Sequence, residues 1–479
     1  MSDEKSLKDR YEKAGQKHIF DHFETLKSDD RESLLKQLAS IQVEHLGDLL
    51  RLAQAGGDSG AEDGSNSIEP FIGENVGSFT DVILNEKCNE KGLEAIGRGE
   101  VAALVLAGGQ GTRLGFDGPK GMYDIGLPSH KSLFQLMAER ISKLKKLAAS
   151  KVGIQAKDCS LPFYIMTSPI NHDATKQYFL DTNFFGLGEE NVFLFQQGML
   201  PCLTKEGKII METASTVSMA PDGNGGIYPS LLGSGALDDM EKSRGIKYLH
   251  VFSIDNALVK PADPGFLGFC IDKGADCGNK STWKSHAHEK VGVVALRGGK
   301  PCVVEYSEIT QEMAERTDAQ GRLAFGAGNI CNHFYTIEFL RKKVLPNMGN
   351  MYHIAQKKIP YYDATKQATV KPDSNNGIKL ETFIFDVFSL SESFAVWEVE
   401  RSQEFAPVKN AQGSSSDSPD TARTLISCLC KSWLTAAGAE ISSASDEDIC
   451  EISPLLSFGG EGLEQYKGGT IQVPCHLTS

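Results

Sequence analysis

Apolar positions recur along this chain at two different intervals. Between Leu7 and Ile41 they fall three or four apart, with Leu7, Tyr11, Ala14 and His18 in one stripe and Leu34, Leu35, Leu38 and Ile41 in a second. That spacing places each set on one face of a helix and predicts a helical N-terminal region whose stripes are packing faces. From Val101 to Ala107 the chain is instead continuously apolar, as it is within Pro162–Thr167 and Lys247–Ile254. Such runs predict strands buried on both faces. A helical period returns at Leu133, Met137, Ile141 and Leu144, with Lys143, Lys145 and Lys146 read as its solvated side. Buried strands alternating with helices predict an α/β sheet covered by helices, whose ligands gather at the carboxyl ends of the strands.

Punctuation divides the chain further. The polar, glycine-containing stretch Gly56–Ser67 is expected to be a linker, and the Ser-rich stretch Gly413–Pro419 a surface loop. Beyond it, Ala422–Leu434 reads as a helix and Thr470–Pro474 as a short strand. The expected segments are a helical N-terminal domain with linker (1–100), a catalytic domain (101–386) and a C-terminal domain (387–479).

Composition narrows the classes. A chain of 479 residues that is 40% hydrophobic can bury a substantial core. A formal net charge of -14 disfavours nucleic acid and anionic membranes as general partners. The charged start MSDEKSLKDR does not suit a signal peptide, and no apolar run reaches the roughly 18 residues of a membrane span, so a cytoplasmic location is expected. Eleven scattered cysteines without CxxC spacing indicate neither a disulfide framework nor a structural zinc site. Cys428 and Cys430, one residue apart on the expected helix, point different ways and are poor chelators.

Candidate chemistry concentrates where the first buried strand ends. Leu104–Asp124 reads LVLAGGQGTRLGFDGPKGMYD, with Gly108, Gly109 and Gly111 directly after the apolar run. Glycines let backbone N–H groups approach a polyphosphate. The dinucleotide pattern GxGxxG would need glycine at Leu114, and the Walker pattern would need Gly-Lys-Ser/Thr near Lys120, so neither fits. A glycine cluster after a strand is a tight turn about as often as a binding loop. Arg113 and Lys120 favour the second reading, because two cations in one loop repel unless anions neutralise them. Asp255, directly after Tyr248–Ile254, suits Mg²⁺ as a hard strand-end ligand, although on position alone a turn cap is favoured about two to one.

LAGGQGTRLG with PKGMYD (Pro119–Asp124) resembles the eukaryotic UDP-N-acetylhexosamine pyrophosphorylases, a branch of the sugar nucleotidyltransferases. FQQGMLP (Phe195–Pro201), MAPDGNGG (Met219–Gly226), VEYSE (Val304–Glu308), AGNICNHF (Ala327–Phe334), NGIKLETFIFD (Asn376–Asp386) and FAPVKNAQG (Phe405–Gly413) follow in the family's order. The resemblance implies a Rossmann-like nucleotidyltransferase domain with a mixed, mostly parallel sheet, a helical N-terminal region and a small α+β C-terminal domain. It implies transfer of uridylyl from UTP to N-acetylglucosamine 1-phosphate, with N-acetylgalactosamine 1-phosphate as a further acceptor. Mg²⁺ is the implied metal, with Mn²⁺ able to substitute.

Roles follow by the same resemblance. Arg113, Lys120 and Lys409 are the catalytic cations, and Asp255 holds the metal. Leu106, Ala107, Gly108, Gly109, Lys120, Gln197, Gly223, Asp255 and Lys379 contact the nucleotide. Asn224, Gly292, Glu305, Tyr306, Asn329, Phe383 and Lys409 contact the sugar phosphate. Phe383 and Phe385, two apart on an expected strand, are read as core, with one bordering the sugar pocket. The acceptor's phosphate oxygen is already anionic near neutral pH, so no general base is required and no catalytic triad is expected. His286 and His288 form an HxH without a completing ligand set and are expected on a loop or exposed edge. Two alternatives stand beside this reading: the same chemistry on glucose 1-phosphate, and a nucleotide-sugar sensor without turnover. Oligomeric state has no signature in the sequence.

Overall fold

The computed structural model describes residues 4–58, 67–348, 351–445 and 447–478. Contacts divide the chain into two compact units that interleave along the sequence. One comprises Met1–Asn66, Gln197–Ser230 and Val344–Val387, and the other Ser67–Gln196, Leu231–Lys343 and Phe388–Ser479. This division cuts the chain differently from the three consecutive segments expected.

The larger unit is built on an eleven-stranded sheet. Its strands in chain order are β1 (Ile68–Pro70), β2 (Val76–Ser78), β3 (Val101–Leu106), β4 (Phe163–Thr167), β5 (Val192–Gln196), β6 (Tyr248–Ser253), β7 (Cys277–Trp283), β8 (Val293–Arg297), β9 (Lys300–Val304), β10 (Ala327–Thr336) and β11 (Phe394–Val399). The main path runs β2-β11-β7-β10-β6-β3-β4-β5, with β1, β8 and β9 branching from β10. Neighbours are parallel from β6 through β3 and β4 to β5, and again among β2, β11 and β7, while β10 runs antiparallel to both flanking strands. Along this path the sheet is mixed and mostly parallel, as expected, while the branch through β1, β8 and β9 pairs antiparallel.

Every residue of β3 is buried, which explains an apolar run without alternation. Helices Val82–Gly97 and Pro264–Asp272 cross at two glycines: a Cβ on Gly92 would meet the Pro264 carbonyl oxygen at 2.0 Å, and one on Gly268 that of Cys88 at 1.8 Å. The helix Leu133–Val152 buries Leu133, Met137, Ile141 and Leu144. Its lysine side is not uniformly solvated: Lys143 Nζ donates to the Leu456 carbonyl (2.8 Å) and pairs with Glu461 (3.5 Å). The C-terminal residues pack there, with Leu434, Cys450, Ile452 and Leu456 in the same hydrophobic core as Ile141 and Leu144.

The helix Pro419–Ala436 opens on a Ser418–Thr421 capping box, so the preceding loop stops one residue sooner than expected. On this helix Cys428 is exposed and Cys430 buried. The strand expected at Thr470–Pro474 is present as Thr470–Val473.

In the smaller unit, helices Glu4–Lys13, Ser28–Ser40 and Val43–Asp58 pack with Leu203, Ile209, Ile378 and Leu380. Leu7, Tyr11, Leu34 and Leu38 are buried, and Tyr11 donates its hydroxyl to the Leu38 carbonyl at 3.0 Å. The first helix ends at Lys13, before Ala14 and His18. His18 lies in a separate turn and bonds the Ile209 carbonyl instead (2.8 Å). The third helix continues through Gly56 to Asp58, so the expected linker starts later, and its residues 59–66 lie outside the described residues.

The strand Gly377–Glu381 stops before Phe383 and Phe385. Their period of two is that of a turn, in which the rings stack on each other (5.2 Å between centroids) and Ile384 takes the core position. Both phenylalanines are half-buried, contrary to the core placement expected.

Candidate active site

The larger unit assembles its polar residues where adjacent parallel strands end. β3 delivers Leu106, whose carbonyl accepts Ile254 N–H (3.2 Å), and Ala107 N–H donates to Met166 on β4 (2.7 Å). The glycine loop then folds back on itself through Lys120 N–H to Gly109 O (3.1 Å) and Gly111 N–H to Gly118 O (2.8 Å). Buried Asn171 pins it from below, its Nδ2 donating to the carbonyls of Ala107 (2.9 Å) and Gly109 (3.3 Å). Its Oδ1 is held in turn by Ser168 N–H (2.8 Å).

These bonds use the loop's carbonyls. The backbone N–H groups of Gly108, Gly109 and Gln110 have no acceptor among the described residues. A Cβ added to Gly109 would meet nothing within 4 Å, so protein packing does not require glycine there. Three successive free donors beside open space form a concavity suited to an anion.

Three cations, Arg113, Lys120 and Lys409, act on one another at the turn that closes this loop. Arg113 is exposed and lacks an ion-pair partner among the described residues. Lys120 is half-buried, its Nζ donating to Val408 O at 3.3 Å. Burial holds its pKa below the usual lysine range; Asp255 pulls it back up, and the charges of Lys409 and Arg113 push it down again. Lys409 Nζ lies 3.7 Å from Asp255 Oδ2. Three cations around one carboxylate leave positive charge that an anion would neutralise.

Asp255 and Lys409 meet through a buried clamp that the sequence did not disclose. Asn256, only 2% exposed, accepts Ala406 N–H (2.9 Å) and Leu258 N–H (3.1 Å) at Oδ1 and donates from Nδ2 to Glu404 O (2.7 Å). Val408 N–H bonds the Asp255 carbonyl (2.8 Å). Glu404 is fixed by Lys280 (3.0 Å) and Lys260 (2.8 Å). Asn256→Ala strands three buried backbone groups and frees the Lys409 segment; the expected result is a loss of about 2–4 kcal/mol in urea unfolding together with at least a tenfold fall in kcat. Wild-type kcat in a folded Asn256→Ala protein would remove the clamp from the account.

Gly292, Glu305 and Asn329 also come together. Asn329 N–H donates to Gly292 O (2.8 Å), and a Cβ on Gly292 would lie 3.1 Å from Glu305 Oε1. Gly292 precedes β8 and Glu305 follows β9, so both lie at strand ends. Burial, then the neighbouring Glu308, pushes the Glu305 pKa up. Tyr306 is 51% exposed and stands outside this group. Cys331, two residues beyond Asn329, is pushed up to about 12 by burial, with Asp255 raising and Lys409 lowering it, which places this end of β10 beside those two charges.

The remaining residues belong to the smaller unit. Gly223 has φ +88°, and a Cβ there would lie 2.3 Å from Thr382 O, so the backbone demands glycine. Asn224 Oδ1 accepts Ile384 N–H (2.9 Å), which leaves Nδ2 as a free donor. The second lone pair of Oδ1 remains available as an acceptor. Phe383 lies 4.9 Å from the His353 ring, Lys379 is half-buried on its strand, and Gln197 is partly buried with no side-chain bond among the described residues. In the larger unit, His286 and His288 sit on an exposed loop, as expected, with His288 near Glu315 (3.4 Å).

Asp222, beside Gly223, went unremarked in the sequence. It is 4% exposed, its Oδ1 has no partner, and burial pushes its pKa up to about 6. A folded pKa above the unfolded value of 3.8 gives a contribution that is fully present below about pH 4 and lost as pH rises through about 6. Asp222→Asn should therefore gain stability relative to wild type over that window, approaching about 3 kcal/mol above it. Urea midpoints at pH 4.5 and 8 measure this; a difference independent of pH would contradict it.

The family model for UTP–glucose-1-phosphate uridylyltransferases matches residues 62–464. The chain belongs to this family. A Homo sapiens relative, UDP-N-acetylhexosamine pyrophosphorylase-like protein 1, is 43% identical over 100% of this chain and 97% of its own length. The UDP-N-acetylglucosamine pyrophosphorylase of Saccharomyces cerevisiae is 42% identical over 98% of both. The crystal structure of the Trypanosoma brucei uridine diphosphate N-acetylglucosamine pyrophosphorylase in complex with inhibitor matches with a TM-score of 0.84 at 32% identity, over 97% of this chain and 95% of that one. Within the uridylyltransferases, the chain belongs with the UDP-N-acetylhexosamine pyrophosphorylases, as its ordered motifs suggested.

Proposed function

We propose that the protein transfers uridylyl from UTP to N-acetylglucosamine 1-phosphate, releasing pyrophosphate and forming UDP-N-acetylglucosamine, with N-acetylgalactosamine 1-phosphate as a second acceptor. The observation that carries this reading is the loop with three free backbone donors, closed at Lys120, whose charge feels Asp255, Lys409 and Arg113 nearby. The acceptor phosphate attacks the α-phosphorus directly. Its oxygen is already anionic, and the barrier lies in aligning two polyanions and stabilising charge that moves to pyrophosphate. Lys409 holds the acceptor phosphate, Lys120 the triphosphate, and Arg113 the departing pyrophosphate. Within the larger unit Gly292, Glu305 and Asn329, with Tyr306, are assigned to the sugar; in the smaller unit the family resemblance assigns Asn224 and Phe383 to the same substrate. Gln197, Gly223 and Lys379 serve the nucleotide.

Asp255 fits a metal role. Its carboxylate is mostly buried and receives no backbone N–H among the described residues, and no other His, Cys, Asp or Glu joins it in a metal-sized group there. A single hard oxygen ligand suits Mg²⁺, or Mn²⁺, whose remaining positions phosphate and water can fill. When bound, the metal would supply charge neutralisation on the phosphates. A cytosolic setting suits these water-soluble substrates; no described helix is long and apolar enough to cross a membrane.

The test is pyrophosphate release from UTP and Mg²⁺ with N-acetylglucosamine, N-acetylgalactosamine or glucose 1-phosphate as acceptor. Preference for the N-acetylated sugars is expected. Preference for glucose 1-phosphate, or no release with any sugar, would overturn the assignment.

A further inference from the structure

Two thiols that the proposed chemistry does not use face each other across a short parallel pair of strands in the larger unit. Cys450–Ile452 and Cys475–Leu477 align with Cys450 directly opposite Cys475. The Cys475 thiol donates to Cys450 Sγ with 3.7 Å between the sulfurs, which is van der Waals contact. No other two cysteines are hydrogen-bonded to each other among the described residues. Main-chain bonds hold both positions: Cys450 N–H donates to Ser427 Oγ (2.9 Å) and Cys475 N–H to Ile449 O (3.0 Å). A third sulfur, Cys430, is buried and accepts Ile452 N–H at 3.4 Å. The two facing thiols differ in access, Cys450 being fully buried and Cys475 half-buried.

We propose that Cys450 and Cys475 form a reversible dithiol–disulfide couple, closed by a hydroperoxide and reopened by a small thiol. The half-buried Cys475 reacts first, as its thiolate attacks the peroxide oxygen. An S–O bond forms, the O–O bond breaks, and the departing oxygen takes the proton given up by the Cys475 thiol, leaving as water from hydrogen peroxide or as the alcohol from an organic hydroperoxide. Cys450 Sγ then attacks Cys475 Sγ, so that the S–S bond forms and the S–O bond breaks. The hydroxyl departs as water, taking the Cys450 proton. The two sulfurs together lose two electrons and the peroxide gains them. Burial and the neighbouring Cys475 hold the Cys450 thiol strongly protonated, which protects it from direct oxidation and leaves it to resolve the sulfenic acid beside it. Reduction reverses the couple by thiol–disulfide exchange at the accessible sulfur. Exposed Cys428 has no sulfur partner and serves as an internal comparison.

The experiment treats the full-length native protein with hydrogen peroxide, blocks remaining thiols with N-ethylmaleimide and maps peptides by mass spectrometry without reduction. The expected product is a Cys450–Cys475 cross-linked peptide pair, two hydrogens lighter than its reduced parts and released by dithiothreitol. In Cys450→Ser, Cys475 should instead accumulate as a sulfenic acid trapped by dimedone. The proposal is overturned if wild-type Cys475 takes dimedone to the same extent as in Cys450→Ser with no linked pair. It is equally overturned if both thiols stay free at a dose that fully oxidises Cys428. Should Cys450→Ser fail to fold, the wild-type map decides alone, and it reads no enzymatic activity.

Discussion

Lys120→Ala is expected to lower kcat by roughly 10²–10³-fold while changing the binding of uridine little. Lys120 is half-buried on the short turn that closes the glycine loop, and desolvation, Lys409 and Arg113 all oppose its charge. A cation kept in so unfavourable a setting gains most when phosphate charge grows beside it, so its contribution peaks as negative charge shifts to the leaving pyrophosphate. Removing it abolishes a transition-state interaction and relieves repulsion among the remaining cations, so the protein itself should be no less stable. Steady-state kinetics with uridine or UMP competition separate the two effects. A rise in KM at unchanged kcat would mean that Lys120 only binds.

Asp255→Asn should cost at least about 100-fold in activity and raise the Mg²⁺ concentration needed for half-maximal rate. The substitution keeps the shape and the Val408 bond to the backbone carbonyl while removing the charge. Two opposing effects follow: the metal loses its carboxylate, and Lys409, 3.7 Å away, loses its counter-charge. The first dominates the rate, since Lys409 can still meet the acceptor phosphate. Mn²⁺ affinity followed by electron paramagnetic resonance on the same variant reports the loss without turnover. Unchanged Mn²⁺ affinity would remove Asp255 from the metal site.

Local signals revealed the strands that frame this chemistry. The unbroken apolar runs ending at Ala107 and Ile254 are adjacent parallel strands, β3 and β6, and their ends bring the glycine loop and Asp255 together. Lys409 could be placed only by family resemblance, because its position depends on Asn256 and Glu404 joining distant segments, and neither residue type has a spacing that marks a clamp. Asn171 escaped for the same reason. Phe383 and Phe385 show the reverse failure: a true alternation was assigned to a strand, although Thr382 bonds Asp222 (2.8 Å) and turns the chain. Lys143 was misread because the partner that buries it, Leu456, lies in the C-terminal residues. The family's motifs identified the chemistry more reliably than period or composition, which specify elements but not their neighbours.

The stereochemical course at the α-phosphorus tests the account most directly. UTP made chiral at that phosphorus with sulfur is turned over with N-acetylglucosamine 1-phosphate, and the product configuration is read by phosphorus NMR. A single in-line displacement, aligned by Arg113, Lys120 and Lys409 without a general base or covalent enzyme intermediate, predicts inversion. Retention would require two displacements and an enzyme nucleophile, and would contradict it.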